Sequence, residues 1–432
     1  SRGLGDVYKR QGYIGAKNFK KGLRDYLKTY EYDTAASQNL WEAFEQASEQ
    51  PIGQMMKGWI EQAGFPMITV KKKGNRLQLA QQRFSYLPAD FDQNWQVPIT
   101  IRLFSGTAET ERQTFLMNSA HHEIELPEQT DAYKLNDQQT GFYIVDYRDA
   151  ENLAALGQRV ADQSLAPEDR WGLQNDLFSL CKRGEVSFTE YLDFLAYYRD
   201  ETAFLPLVSI SNNLQHAGLV LDAEKNEKIS SLVLPWFEKI LKHVGFEPAP
   251  DEKHTTAILR EQLLWHTALS GSESVIEFAG DQFARWQQGK PVHPDIMKSV
   301  LQIAALGGDQ QTFAWLDHRF ESSQIEHERM NILVALGCFK EAVSLQNALQ
   351  YILDTVPARN KFVPVVAMAS NPYAIPLLWD WYVSNLSQIE QFHPMLYERV
   401  LAAIVPVAGM DHPEALREFF VDYMQKTVVA KY

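Results

Sequence analysis

Two histidine-containing clusters are the places where this sequence comes closest to metal chemistry. His121, His122 and Glu123 are consecutive, and His327 is followed directly by Glu328. A catalytic zinc site on a helix needs two His ligands one helical turn apart, with a Glu between them as general base. The second His is missing from both clusters, because position 126 is Leu and position 331 is Asn. We therefore expect a surface strand at 121–125, whose adjacent side chains point to opposite faces, and a solvated helix turn at 327–331.

The remaining candidates for chemistry lie far apart in the sequence. The two cysteines, Cys181 and Cys338, sit in apolar helical patterns and are typical of small core residues rather than of reactive thiols or a zinc cluster. The other histidines are scattered, without a partner at ligand spacing: His216, His254, His266, His293, His318, His393 and His412. We predict that this chain contains no catalytic, cofactor-binding or metal-binding residue.

Composition excludes several classes of function. The chain has 432 residues, of which 45% are hydrophobic and 22% charged, as expected for a globular protein of two to four domains. Its formal net charge of −14 argues against nonspecific nucleic-acid binding, which depends on basic patches. No apolar run approaches the ~18 residues that a membrane span requires. The compartment stays open between cytoplasm and periplasm.

The first part of the chain is predicted to be helical. Residues 1–11 do not share the periodicity that follows, and we interpret them as a non-native leader. In residues 12–66, three apolar faces recur at helical spacing, and Ser37 is a candidate cap of the second helix. Pro51 suits the first turn of the third helix, and Gly64 with Pro66 ends it. The faces consist of Phe19, Leu23, Tyr26, Leu27 and Tyr30; Leu40, Trp41 and Phe44; and Ile52, Met55, Met56, Trp59 and Ile60.

At Met67 the hydrophobic period changes from about 3.6 to 2 residues. Apolar residues alternate with polar ones from Trp95 to Leu103, and Pro98 within this run favours an edge strand or a bulge. Gly74 lies in a predicted hairpin turn, and further strands are predicted at 112–117, 121–126 and 141–147. Residues 67–149 are therefore predicted to form an immunoglobulin-like β-sandwich.

Residues 150–432 have helical periodicity throughout, with short turns between the segments. Many helix pairs with short connections predict a stacked, HEAT-like superhelix. The predicted fold is thus multidomain α+β: a short helical segment, a β-sandwich, and a large all-α domain.

Several local phrases in this order resemble the zinc aminopeptidases of the M1 family. Residues 15–32, with FKKGLRDYL, are similar to a late helix of that family's catalytic domain, and LWEAF at 40–44 and WIEQAGFP at 59–66 to its closing segment. KLN at 134–136 and GFYIVDY at 141–147 are similar to the end of the sandwich, although Ile144 stands where the family pattern has Arg. PEDR at 167–170, LQND at 173–176 and IVPVAG at 404–409 are similar to the ERAP1-like C-terminal helical domain.

The resemblance covers residues 12–432 and contains no catalytic motif. It implies that the intact parent removes N-terminal residues from peptides by using a zinc-bound water, and that the helical domain caps the active site and shapes substrate access. In the family, the zinc ligands and the general base all precede the segment matched by Gly15. The resemblance therefore implies no zinc in this chain, and as partners the preceding domains of the same polypeptide and, in the parent, peptide substrates. It also implies that the helical domain continues beyond residue 432.

Two other interpretations remain open at this stage. The chain could be a free-standing scaffold that holds a partner on a helical surface, or a pseudo-enzyme without a catalytic half. The helices at 12–66 favour the interpretation as part of an active aminopeptidase over both alternatives, because a scaffold has no need for the tail of a catalytic domain. Their three apolar faces are expected to pack partly on one another and partly on that domain.

Overall fold

The computed structural model describes residues 14–87, 92–392, 394–409 and 411–429. The predicted leader at 1–11, and His393 among the scattered histidines, lie outside these residues. The chain divides into two compact units, the first ending at Ile210 and the second beginning at Ser211. The order of elements is as predicted: helices, then strands, then a long series of helices.

Three helices open the described part of the first unit: α1 (Ala16–Thr29), α2 (Ser37–Ser48) and α3 (Ile52–Glu61). They bury a common cluster that includes Phe19, Phe44 and Met55, with the Phe19 and Phe44 rings stacked at 5.1 Å. One detail of the prediction is wrong. Ser37 is the first residue of α2 rather than its cap, since Ala36 precedes it and donates its N–H to Asn39 Oδ1. Leu27 and Ile60 belong to the faces that were expected to pack only partly on one another, and their side chains are about 60% exposed.

The sandwich has seven strands: β1 (Pro66–Lys73), β2 (Arg76–Arg83), β3 (Val97–Ser105), β4 (Ala108–Met117), β5 (His121–Glu125), β6 (Ala132–Leu135) and β7 (Ile144–Tyr147). They form one sheet in the order β5-β2-β1-β7 and another in the order β4-β3-β6. The pairs within each sheet are antiparallel except β1 with β7. Because the alternating residues of both sheets, such as Val70 and Ile101, share one apolar cluster, the two sheets face each other across a common core.

Pro98 lies in the central strand β3 of its sheet, at a position where only one neighbouring strand is paired with it. The β3 strand pairs with β4 along its whole length, whereas β6 pairs with it only from Ile101 to Phe104. The missing N–H of Pro98 therefore lies where β3 has a single neighbour, as expected from proline chemistry. The register shift lies elsewhere, between Leu103 and Phe104. Gly141–Tyr143, predicted as strand, precedes β7 instead, and β6 was not predicted.

A series of helices follows the sandwich: α4 (Ala150–Ala161), α5 (Pro167–Arg183), α6 (Phe188–Leu195), α7 (Phe204–Val220), α8 (Ala223–Val244), α9 (His254–Leu269), α10 (Glu273–Gln287), α11 (Pro294–Leu306), α12 (Gln310–Ser322), α13 (Glu326–Leu336), α14 (Ala342–Asp354), α15 (Phe362–Met368), α16 (Ile375–Ser384), α17 (Leu386–Ile389), α18 (Pro394–Ala408) and α19 (Pro413–Val429). In the second unit, alternate helices are in contact in the row α9, α11, α13 and α15, and α15 also contacts α18. Helices α8, α10 and α12 also contact members of this row. No helix of the described residues is long and apolar enough to cross a membrane.

A polar joint holds the β-sandwich to α5 within the first unit. It consists of Arg102, Lys134, Asp169 and the segment 136–139. The buried Asp169 carboxylate lies 3.2 Å from Arg102 Nη1 and 3.3 Å from Lys134 Nζ, and it accepts the N–H of Gln138 at 2.7 Å. Asn136 has a left-handed φ of 56°, and its side chain satisfies the backbone of Gly141 and Tyr143. These bonds compensate for burying charge and for the strained backbone.

Candidate functional site

The histidines of the two metal-like sequence clusters are not assembled into a set of metal ligands among the described residues. His121 and His122 lie on β5, as predicted; His121 is exposed and the imidazole of His122 stacks on Phe115 with 4.6 Å between ring centroids. His327 is exposed in the first turn of α13. Across the residues that the structure describes, no group of three His, Cys, Asp or Glu side chains could hold a metal ion. The residues present therefore do not fit a zinc ion, and we derive no step through one.

The cysteines differ in burial. Cys338 lies in the core, and burial raises the pKa of its thiol to about 12. Its sulfur contacts Gln302 Nε2 at 3.6 Å and Val334 O at 3.3 Å. Cys181 is half-buried, and burial also raises its pKa. Neither thiol is prepared to act as a nucleophile, because the reactive form is the thiolate.

The second unit contains a large cavity of about 610 Å³, lined by helices α7, α9, α11, α13 and α15. Two of its walls are helix faces with i, i+3, i+4, i+7 spacing, one on α7 and one on α9. The α7 face consists of Asn212, Gln215, His216 and Leu219, and the α9 face of Ile258, Glu261, Gln262 and Trp265. A further part of the lining consists of Phe362, Val363, Val366 and Ala367 of α15. The lining is thus amphipathic, because it combines carboxamides with aliphatic and aromatic side chains.

One ion pair lies on the wall of the large cavity. Lys298 of α11 forms a salt bridge with Glu261 of α9. Both side chains remain part-exposed, at 39% and 26%. Elsewhere in the lining, the side chains of Ile258 and Val366 are more than 40% exposed. Because a charged pair and exposed apolar groups share this surface, it can hold a ligand that combines polar backbone with apolar side chains.

His266 lies between the large cavity and a neighbouring cavity of about 340 Å³. Its Nδ1 is 2.6 Å from Ser211 Oγ, and burial lowers the pKa of the imidazole to about 4. The ring is therefore neutral at physiological pH. Ser211 is fully buried, and we interpret its contact with His266 as a structural hydrogen bond rather than as a nucleophile with its base. The prediction that His216 and His266 are scattered needs one correction, since both line the large cavity.

Sequence reasoning did not find the large cavity, although part of its signal is visible. Asn212, Gln215 and His216 form a polar stripe at i, i+3, i+4 spacing on the apolar helix α7, and Glu261 and Gln262 are adjacent polar residues on α9. That these residues line one space with Val366 depends on tertiary packing across more than 100 residues of sequence.

Two protein-family models match this chain. The model of the ERAP1-like C-terminal domain matches residues 132–429, and that of the peptidase family M1 domain matches residues 7–59. Residue 132 is the first residue of β6, so the first match includes the last strands of the sandwich.

Curated relatives are similar along most of the chain. Aminopeptidase M1-A of Oryza sativa subsp. japonica is 26% identical over 437 residues, which cover 97% of this chain and 49% of that protein. The puromycin-sensitive aminopeptidase of Caenorhabditis elegans is 30% identical over 78% of this chain and 37% of its own length. Probable aminopeptidase 2 of Sulfurisphaera tokodaii is 24% identical over 95% of this chain and 50% of its own. The chain thus spans about half the length of these relatives or less.

Proposed function

This chain belongs to the M1 peptidase family and carries its ERAP1-like C-terminal domain, and from this membership we propose that it is the non-catalytic C-terminal part of a zinc-dependent aminopeptidase. The intact parent would remove N-terminal residues from peptides. Because the chain matches about half of relatives that are named aminopeptidases, the zinc and the general base would belong to the other half.

In this proposal the chain contains three domains, each with its own structural role. Residues 12–66 would complete the catalytic domain, 67–149 would form the immunoglobulin-like sandwich, and 150–432 would form the HEAT-like array. Contacts between every second helix of the second unit support the array, since this is the neighbour pattern of stacked helix pairs. The exposed side chains of Leu27 and Ile60 support an interface with the rest of the catalytic domain, because large exposed apolar groups mark interaction surfaces.

In this proposal the helical domain caps the active site, and the large cavity receives the part of the peptide that is not being cleaved. The observation that carries the proposal is the amphipathic lining, in which the Glu261–Lys298 pair occurs together with the exposed side chains of Ile258 and Val366. An extended peptide offers carbonyl and N–H groups to the carboxamides and alternate side chains to the apolar wall. The cavity would then influence which peptides reach the zinc.

Peptide binding by the isolated full chain tests the proposal. A series of peptides of increasing length would be titrated calorimetrically, then analysed by mass spectrometry, with zinc measured on the same sample. We expect longer peptides to bind and to be recovered intact, without stoichiometric zinc. About one tightly bound zinc per chain together with release of free amino acids would contradict the non-catalytic assignment, and the absence of peptide binding would contradict the role of the cavity.

A matched pair of variants locates the binding. The double variant Glu261→Gln, Lys298→Gln removes the ion pair of the large cavity without leaving a lone charge. The control, Glu224→Gln with Lys228→Gln, removes an exposed pair of the same type on α8, whose charged atoms lie 2.6 Å apart. We expect the first variant to change peptide affinity several-fold, roughly 1 kcal/mol, and the second to leave it unchanged.

A further inference from the structure

A separate cavity of about 460 Å³ lies at one end of helices α10–α13 in the second unit. We name it the tryptophan cavity, because Trp286 of α10 and Trp315 of α12 lie in its wall. It shares no lining residue with the large cavity. Its remaining wall combines short apolar groups from the α10–α11 connection with charged groups from α12 and α13. The function proposed above makes no use of it.

The apolar part of the tryptophan cavity is preformed. The indole rings of Trp286 and Trp315 meet edge to face, with centroids 4.9 Å apart at 66°, and Phe283 meets Trp315 in the same way at 5.3 Å. Met297 and Val292 continue this wall. Contacts of this kind fix the orientation of rings beyond what burial alone provides. The wall therefore offers a rigid apolar surface to a ligand.

The polar part is a positioned arginine. Glu328 of α13 accepts two bonds from Arg319 of α12, at 2.5 Å from Nε and 3.0 Å from Nη2. The guanidinium carbon lies 5.2 Å from the centre of the Trp286 ring, which holds the group from a second side. A guanidinium carries five N–H groups, so Arg319 can still donate to a second carboxylate. Its side chain is 39% exposed, whereas that of Glu328 is 11% exposed.

The charge of the lining favours an anion. The exposed Lys290 and His327 lie on the rim with Arg319, and Glu328 is the one carboxylate among the lining residues, all of which the structure describes. Since Glu328 is already engaged by Arg319, the unsatisfied charge of the cavity is positive. This is a local reversal in a chain whose formal net charge is −14.

We propose that the tryptophan cavity binds a small carboxylate with an apolar body, such as an aromatic or branched-chain acid. The carboxylate would accept from Arg319 and Lys290, and the apolar body would lie against Trp315 and Met297. Ion-pair recognition by a positioned guanidinium is strong when it is shielded on one side by an aromatic ring. A volume of about 460 Å³ falls in the range of small-molecule sites. Two sources carry this chemistry: a free acid, or the carboxyl end of a peptide with an apolar last residue.

The test compares charged and uncharged probes on the full chain. The free-acid probe is 3-phenylpropionate and its uncharged match is 3-phenylpropionamide; the peptide probes are a short peptide ending in Phe and the same peptide as its C-terminal amide. Calorimetric titration should show the free acid binding about tenfold or more tightly than its amide, as expected from one charge-assisted contact. Competition between the free acid and the peptide acid would assign the peptide end as a source, and binding of the free acid alone would assign a small metabolite.

Variants locate the site and keep the proposal falsifiable. Lys290→Gln changes an exposed residue and should weaken binding of the acid several-fold, while binding of the amide stays constant. Arg319→Gln combined with Glu328→Gln removes both charges of the pair together, so that no lone charge remains, and should abolish the preference for the acid. Arg76→Gln with Glu125→Gln, an exposed pair with charged atoms 3.0 Å apart in the sandwich, is the control. Equal binding of acid and amide, no binding of either, or variants indistinguishable from the control would overturn the proposal.

Discussion

In the polar joint of the first unit, Arg102, Lys134 and Asp169 are buried and bonded to one another, whereas in the cavities of the second unit Glu261, Lys298 and Arg319 keep part of their surface open. The same residue types are thus used in two ways. Buried charges that satisfy one another fix one element against another, and their removal is costly. Part-exposed charges on a cavity wall contribute little to stability and are available to a ligand. The difference predicts that variants in the first region change folding, and variants in the second change binding.

The largest effect is expected from Asp169→Ala in the polar joint. This variant leaves Lys134 as a buried cation without its carboxylate, removes one of the three carboxylates that contact Arg102, and removes the acceptor of the Gln138 N–H. We expect a loss of about 3–5 kcal/mol in the free energy of unfolding, measured with urea. Glu123→Ala, which removes an exposed partner of Arg76, is the control and should cost less than about 1 kcal/mol. Similar losses in both variants would contradict the distinction between the two regions.

The next effect concerns the pH dependence of stability. Burial raises the pKa of Asp176 to about 7, and its carboxylate accepts the N–H of Val145 at 3.1 Å. An unfolded Asp titrates near pH 4, so between about pH 4 and 7 the folded state holds a proton that the unfolded state has released. Stability should therefore fall as pH rises through this window and become level above it.

Asp176→Asn isolates this contribution, because the amide oxygen can still accept from Val145 and carries no charge. Relative to the variant, the wild-type protein should lose roughly 2–4 kcal/mol between pH 4 and pH 8. Urea unfolding of both proteins at several pH values would measure this difference. If the two proteins follow parallel curves, Asp176 does not titrate in this range and the account of its burial is wrong.

A smaller effect is expected where the joint packs closely on α5. A Cβ built at Gly172 would lie 1.6 Å from Gln139 Nε2. Gly172→Ala should therefore force Gln139 to move and cost about 1–3 kcal/mol. Adding Gln139→Ala removes the obstacle and should recover most of this loss. Absence of recovery in the double variant would show that the cost arises from the backbone and not from this contact.

The smallest effect on stability is expected in the large cavity. Removing the Glu261–Lys298 pair as Glu261→Gln, Lys298→Gln should change the free energy of unfolding by less than about 1 kcal/mol, because both side chains are part-exposed. The same urea experiment measures it. A loss of stability comparable to that of Asp169→Ala would show that this pair stabilises the fold, and it would contradict the assignment of the pair to ligand binding.

Local periodicity was sufficient to predict the order of helices and strands and most of the strands. The change of period at Met67, the turn at Gly74 and the alternation after Trp95 all report short-range geometry, which sequence carries directly. The β6 strand was missed because all four of its residues are buried, including Lys134, so it has no alternation. Helical spacing puts Ile60 on the same face as Met55 and Met56, but it does not show how much of that face is covered, and the side chain of Ile60 is about 60% exposed.

The candidate site could not be predicted for a different reason. Its walls come from helices distant in sequence, such as α7 and α15, and nothing local shows that Gln215 and Val366 line one space. The family resemblance is sufficient to identify the class of protein. The residues that could contact a ligand are identified only by the packing of the helices. The polar joint also cannot be predicted from local patterns. KLN at 134–136 and PEDR at 167–170 are separate in the sequence, and the structure brings them together through the carboxylate of Asp169.

The central claim, that this chain completes an aminopeptidase whose catalytic residues lie elsewhere, is tested most directly by reconstitution. The rice relative would be truncated where its similarity to this chain begins, and hydrolysis of a peptide series would be measured with the truncated enzyme alone, with its own C-terminal half, and with this chain. The account predicts that this chain, like the relative's own half, increases hydrolysis and changes its dependence on peptide length, while it hydrolyses nothing alone. Restoration by the relative's own half without binding or effect of this chain, or hydrolysis by this chain alone, would contradict the account.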